Sequence, residues 1–186
     1  MSRSQPTMNQ RPTPTQVFAD ETKERGYRFV AVALPHEAVK DLRRELRDWI
    51  KPGQTRIHCS KESDARRKQV IDLFAHYDCE VVVYDSSALP KRQRREACLH
   101  KMVELSARSG ASLLVLERDD STVEFDKKLL YRRVRELGCE HDLQYRHLQA
   151  REEPSLIVPD VIAWCLQRGG EWYKRVEPLI TAVYKL

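Results

Sequence analysis

Short β-branched runs alternate with longer stretches whose apolar residues recur every three or four positions, so the chain predicts strands alternating with helices. Residues 15–20, with Val17, Phe18 and Ala19, predict a first strand, and YRFVAVAL over residues 27–34 predicts a second. The short polar link between them predicts a hairpin. Val39, Leu42, Leu46 and Trp49 at helical spacing predict a helix over 36–50, which Pro52-Gly53 breaks. A brief strand is expected over 55–59. Ser60 then serves as the cap of a helix whose face carries Val70, Leu73, Phe74 and Tyr77.

EVVVY, residues 80–84, is apolar almost throughout after its first residue, as in a central strand buried on both faces. Pro90 opens a helix with Cys98, Met102 and Leu105 on its buried side, and Gly110 closes it. ASLLVL, residues 111–116, predicts another buried strand. Ser121 and Glu124 have the spacing of a capping box before a helix carrying Phe125, Leu129, Leu130 and Val134, ended by Gly138. An edge strand is expected over 143–148 and a helix over 158–168. Trp172, Val176, Leu179, Ile180 and Val183 predict a final helix kinked at Pro178. A hairpin followed by alternating strands and helices makes a mixed α/β sheet flanked by helices. Residues 1–14, polar and holding Pro6, Pro12 and Pro14, are expected to be a disordered arm before one domain over 15–186.

Composition narrows the function classes. Thirty-three basic and 28 acidic residues leave a net charge of +5, a mild bias toward anionic partners such as nucleic acid. Five cysteines with no C-x-x-C pair argue against a disulfide framework and point to a reducing cytoplasm. Cys139, His141 and His147 come nearest to a zinc cluster but lack the usual ligand spacing. No N-terminal apolar region reads as a secretory signal, and no apolar run would span a bilayer. Six glycines form neither a phosphate loop nor a dinucleotide fingerprint, and no G-x-S-x-G occurs.

The candidate chemistry lies in acids that follow apolar strands. Asp20 and Glu21 end the first strand, Asp85 ends EVVVY, and Glu117 ends ASLLVL, while Asp160 opens a helix with apolar neighbours. Ligands gather at strand ends in α/β sheets, so these carboxylates can meet there. Clustered carboxylates stay ionised together only beside a cation, and hard oxygen ligands select Mg2+ or Mn2+. Acids after strands are also common turn and cap residues. Asp85 before Ser86-Ser87 suits a turn, and Asp160 in a first helical turn suits the helix dipole.

Basic residues cluster at Arg43, Arg44 and Arg47, at Arg66, Arg67 and Lys68, and at Lys91, Arg92, Arg94 and Arg95. The first reads as a solvated helix face. The last has no acid inside the run and is the expected nucleic-acid contact.

VFADETKERGYRFVAVAL (residues 17–34), RIHCSKE (56–62), LLVLER (113–118) and EPSLIVPDVIAW (153–164) occur in the order of four motifs of a bacterial family. The chain resembles that family, the uncharacterised RNase H-like proteins of the domain of unknown function numbered 3800, over roughly residues 16–170. Thr22 stands where the family's opening motif has Ser, and Glu117 where many relatives have Asp. The resemblance implies an RNase H-like mixed sheet and assigns Asp20, Glu117 and Asp160 as ligands of Mg2+ or Mn2+, with Glu21 or Asp85 supplementing them. It also implies that Lys61 contacts phosphate and that His58 assists proton transfer or positioning. The function implied is a metal-dependent nuclease or phosphodiester hydrolase. The alternative is a non-catalytic nucleic-acid-binding or regulatory protein on a degenerate scaffold of the same kind.

Overall fold

The computed structural model describes residues 15–24 and 26–186, and the expected arm over residues 1–14 lies outside them. Strand β1 (Thr15–Thr22) pairs antiparallel with β2 (Arg28–Pro35) in unbroken register from Thr15 opposite Pro35 to Thr22 opposite Arg28. The intervening turn needs glycine at position 26. Its φ is 119°, and a Cβ there would collide with the Ser87 hydroxyl.

The remaining elements are α1 (His36–Asp48), α2 (Asp64–Phe74), β3 (Glu80–Asp85), α3 (Lys91–Arg108), β4 (Leu113–Glu117), α4 (Val123–Glu136), β5 (Gln144–Leu148), α5 (Ile157–Arg168), α6 (Gly170–Val176) and β6 (Ile180–Lys185). One six-stranded sheet runs in the order β5-β4-β1-β2-β3-β6. Strand β2 runs antiparallel to both of its neighbours, β1 and β3, whereas β4 joins β1, β5 joins β4 and β6 joins β3 in parallel. Strands β1, β3, β4, β5 and β6 therefore all finish at the same edge.

Strand pleating divides the core into two layers. Phe18, Val30, Val32, Val83 and Val115 face α1, α2 and α5. Val17, Ala19, Phe29, Ala31, Leu114 and Leu116 face α3 and α4. The period-two pattern of β1 and β2 is thus read by two separate helical layers, and both strands are almost wholly buried.

Four local expectations change. The strand expected over 55–59 is a loop that ends in a 3-10 turn at Cys59–Lys61. Ile57 and Cys59 are buried against the helices rather than paired in the sheet. Ser63, not Ser60, caps α2 by accepting the Arg66 amide. The capping box at Ser121 does not form. Thr122 occupies the cap position without a side-chain bond to the helix amides. Its hydroxyl donates to the Asp119 carbonyl instead, while the Asp119 carboxylate takes the Ser121 amide and hydroxyl. The expected last helix stops at Val176, and after a 3-10 turn holding Pro178 the chain runs out as β6. Proline ends the helix there rather than kinking it, and the β-branched run that follows finds an open strand to pair with.

Among the described residues no helix is long and apolar enough to cross a membrane. The five cysteines are unpaired thiols, four of them buried.

Burial ranks two phenylalanines that the sequence places alike on apolar faces. Phe18 is fully buried and Phe125 is 45 % exposed. Phe18→Ala is expected to cost about 3–5 kcal/mol in urea unfolding. Phe125→Ala is expected to stay within about 0.5 kcal/mol of the parent.

Candidate metal centre

Asp20 shares the parity of Phe18 on β1, so its carboxylate emerges on the α5 side of the sheet. Glu117 shares the parity of Val115 on β4. The parallel register sets Ala19 beside Leu116, which brings Asp20 and Glu117 side by side one step further on. Asp160 arrives from above. Ile157, Val158, Val161 and Ile162 hold α5 against the same core layer, and Asp160 lies in its first turn.

Asp20 senses both of the other acids, and Glu117 senses Asp160. Asp20 is pushed up to about 8 by burial first, then by the negative charges of Asp160 and Glu117. Glu117 is raised by burial, against the lowering pull of Arg56 and of the Ala150 amide. Asp160 is raised by burial as well, again opposed by Arg56. One guanidinium thus offsets part of two of the carboxylates, Glu117 and Asp160, and leaves Asp20 without a cation. Arg56 donates to Glu117 Oε1 at 3.1 Å and through Nε to His58 Nε2 at 3.2 Å.

The chemistry of these donors, three hard oxygen groups near one another in a partly desolvated corner, suits Mg2+ or Mn2+. Their present geometry is not a finished cage. Among the described residues no group of three or more His, Cys, Asp or Glu side chains stands ready to hold an ion, and Glu117 is held by Arg56.

The other expected site residues go elsewhere. Glu21 points to the opposite face of the sheet, where the Tyr27 hydroxyl, Arg95 and Lys23 surround it. Asp85 is engaged by Arg28 at 2.9 Å and by the Ser87 amide at 3.0 Å. Burial would raise its pKa, but the Ser87 hydroxyl and Arg28 outweigh burial and lower it. His58 lies one link from Glu117, through Arg56. Its Nε2 accepts the Arg56 hydrogen bond, so the ring proton belongs on Nδ1. Burial, then Arg56 and Lys61, push His58 below its ordinary value. Lys61 ends the 3-10 turn beside it and is exposed.

The basic run divides in two. Lys91 and Arg92 are exposed in the first turn of α3, where cations oppose the helix dipole. Arg94 turns back to the carbonyls of Leu89 and Ser87. Arg95 is largely buried and grips Asp126 through two bonds of 2.6 Å, with Glu21 on its other side. His147 reaches the same Asp126 at 3.1 Å.

Two features escape a reading of the sequence. Arg56 carries no pattern that would mark it. Asp126 does carry one: it sits four residues before Leu130, on the buried stripe of α4, where a carboxylate needs a partner.

Asp126→Ala is expected to cost about 3 kcal/mol, because it removes both bonds of a largely buried guanidinium to α4 and leaves it only Glu21. A second prediction concerns pH. Between its unfolded value near 3.8 and about 8, Asp20 holds a proton in the folded chain that the unfolded chain has released. Metal-free protein therefore loses stability as pH rises through that window. Asp20→Asn should flatten the decline and raise Tm at pH 8 by about 5 °C or more, read by calorimetry in chelator.

No family model matches this chain, and no curated protein matches it. Among solved structures it is similar to a chain of the complex of PCNA with RNase HII from Archaeoglobus fulgidus, at a TM-score of 0.55 and 18 % identity, over 88 % of this chain and 74 % of that one. A likeness at that identity speaks for architecture, and with the sheet order above it gives the chain an RNase H-like fold.

Proposed function

We propose that the chain is a nuclease, or a related phosphodiester hydrolase, that depends on Mg2+ or Mn2+, and that it belongs with the uncharacterised bacterial RNase H-like family its motifs resemble. The observation that carries this reading is the meeting of three acids from β1, β4 and α5 at one strand-end corner, where burial and the charges of Asp160 and Glu117 push the Asp20 carboxyl up. A buried acid whose proton affinity is raised by two neighbouring acids gains most from a cation.

Asp20, Glu117 and Asp160 would hold the metal, which supplies an activated water and stabilises the leaving oxygen. Arg56 neutralises Glu117 in the chain as it stands and is placed to bind a phosphate oxygen instead. Lys61, exposed beside His58, extends the positive rim. His58 orients Arg56 through Nε2 rather than acting as a base at that atom.

The Arg56–Glu117 pair also favours a second reading, a nucleic-acid-binding scaffold in which arginine stands in for the missing charge.

The test is cleavage of labelled RNA, DNA and hybrid duplexes in Mn2+ or Mg2+. Activity should vanish in chelator and fall at least about a thousandfold in Asp20→Asn and in Asp160→Asn. Mn2+ should also raise the Tm of the parent and leave that of Asp20→Asn unmoved, since only a ligand of the folded state stabilises it. Salt-sensitive binding with no cleavage and no Mn2+ shift would reject the hydrolase in favour of the scaffold.

A further inference from the structure

Beside Glu117 opens a cleft of about 320 Å³ lined by Thr55, Arg56, Glu117, Arg118, Gln149 and Arg151. Three guanidiniums face one carboxylate there, and that carboxylate is already held by Arg56. Its size falls at the lower end of ligand-sized pockets, roughly 300–1,000 Å³.

The cleft is built by backbone at the sheet edge. The Arg118 amide donates to the Leu148 carbonyl at 2.9 Å, which ties the end of β4 to the end of β5. The turn after β5 is fixed in its own right. Gln149 donates its amide to the Glu152 carboxylate at 2.8 Å, and the Glu152 and Glu153 amides return to the Gln149 carbonyl. Ala150 is buried, with its amide toward Glu117 at 3.4 Å. Arg151 is thereby placed on the solvent side of the acids.

Neither arginine is consumed by a buried partner. Arg118 meets Asp120 at 2.7 Å, but both side chains are well exposed and the pair is weakened by water and salt. Among the described residues no carboxylate pairs with Arg151. By contrast, Arg94 and Arg95 of the basic run are committed to carbonyls and to buried carboxylates, on the other side of the sheet.

We infer that this cleft holds the backbone phosphate of a polynucleotide, with Arg118 and Arg151 as its positioning residues, and that the track of bound nucleic acid leads from the cleft to Asp20, Glu117 and Asp160. The inference rests on the proposed function for its choice of ligand. Guanidiniums bind phosphate oxygens in pairs and in a fixed plane, and two from adjacent strand ends can grip one phosphate from two directions. Thr55 and Gln149 add neutral donors at the rim.

The test is binding of fluorescein-labelled single-stranded and duplex oligonucleotides in chelator, followed by anisotropy over a series of salt concentrations. The double variant Arg118→Gln/Arg151→Gln is expected to bind at least about tenfold more weakly, with a salt slope smaller by about two. Arg118→Lys/Arg151→Lys should restore most of the slope, as a purely structural role would not. Lys91→Gln/Arg92→Gln serves as the comparison and should change little. Parental binding in the double glutamine variant overturns the inference, as does loss that follows Lys91 and Arg92 instead, or a parent that binds no oligonucleotide. A parent that binds through Arg118 and Arg151 but never cleaves in Mn2+ keeps the inference and rejects the nuclease.

Discussion

The pleat of β1 sends Asp20 and Glu21 to opposite faces of the sheet, and two charge networks of different character grow from that division. On the α3–α4 side, Glu21 and Asp126 meet Arg95, with the Tyr27 hydroxyl, Lys23 and His147 completing their bonds. Every carboxylate there has a cation against it, and Arg95 and Asp126 hold their charged forms more firmly for it. That network is closed. It stitches β1, α3, α4 and β5 together through a buried ion pair whose hydrogen bonds are made. On the α5 side, Glu117 and Asp160 share one guanidinium, Asp20 has none, and burial pushes all three toward the neutral form. A closed network explains itself as structure. An open one stores an unmet demand for positive charge, which is the usual condition of a functional corner.

Much of the architecture was legible because pattern and burial coincide. In β1, β2, β3 and β4 the apolar runs are covered on both sides by helical layers, so continuous hydrophobicity and strand identity amount to the same constraint. Reading failed where a local pattern fits two structures. Ile57 and Cys59 alternate like a strand, yet the segment pairs with no strand and buries both side chains among the helices instead. Ile180 and Val183 continue the helical spacing of Trp172 and Val176, but they also belong to a β-branched run, and the exposed flank of β3 decided between them.

The candidate site was legible in its acids and illegible in its cations. An acid at the end of an apolar strand is a positional signal, which is why Asp20 and Glu117 could be singled out. The parity that separates Glu21 from Asp20 was present in the same strand and marks the difference between the two. Arginines carry no such signal. Arg56 sits in an irregular loop, and Arg118 and Arg151 lie in turns whose course depends on backbone bonds between β4 and β5. Conversely, the run from Lys91 to Arg95 is conspicuous as a string of charges, but half of it folds inward. Likeness to a solved RNase HII chain extends over most of the chain without carrying these side-chain details, as expected when backbone is shared at low identity.

Strand β6 bears on how the sheet is assembled. It lies alongside β3 in parallel, and the bond from the Val81 amide to the Thr181 hydroxyl joins residues 100 positions apart. The flank of β3 is covered by a segment that follows α5 and α6 in the chain and returns across the molecule to reach it. Closing so wide a loop is slow relative to forming the β1–β2 hairpin, whose partners are neighbours. Until it closes, an apolar strand keeps a row of unpaired amides and carbonyls open to any passing chain. The interval before β6 docks is thus the period in which the nascent sheet is most vulnerable to joining the wrong molecule.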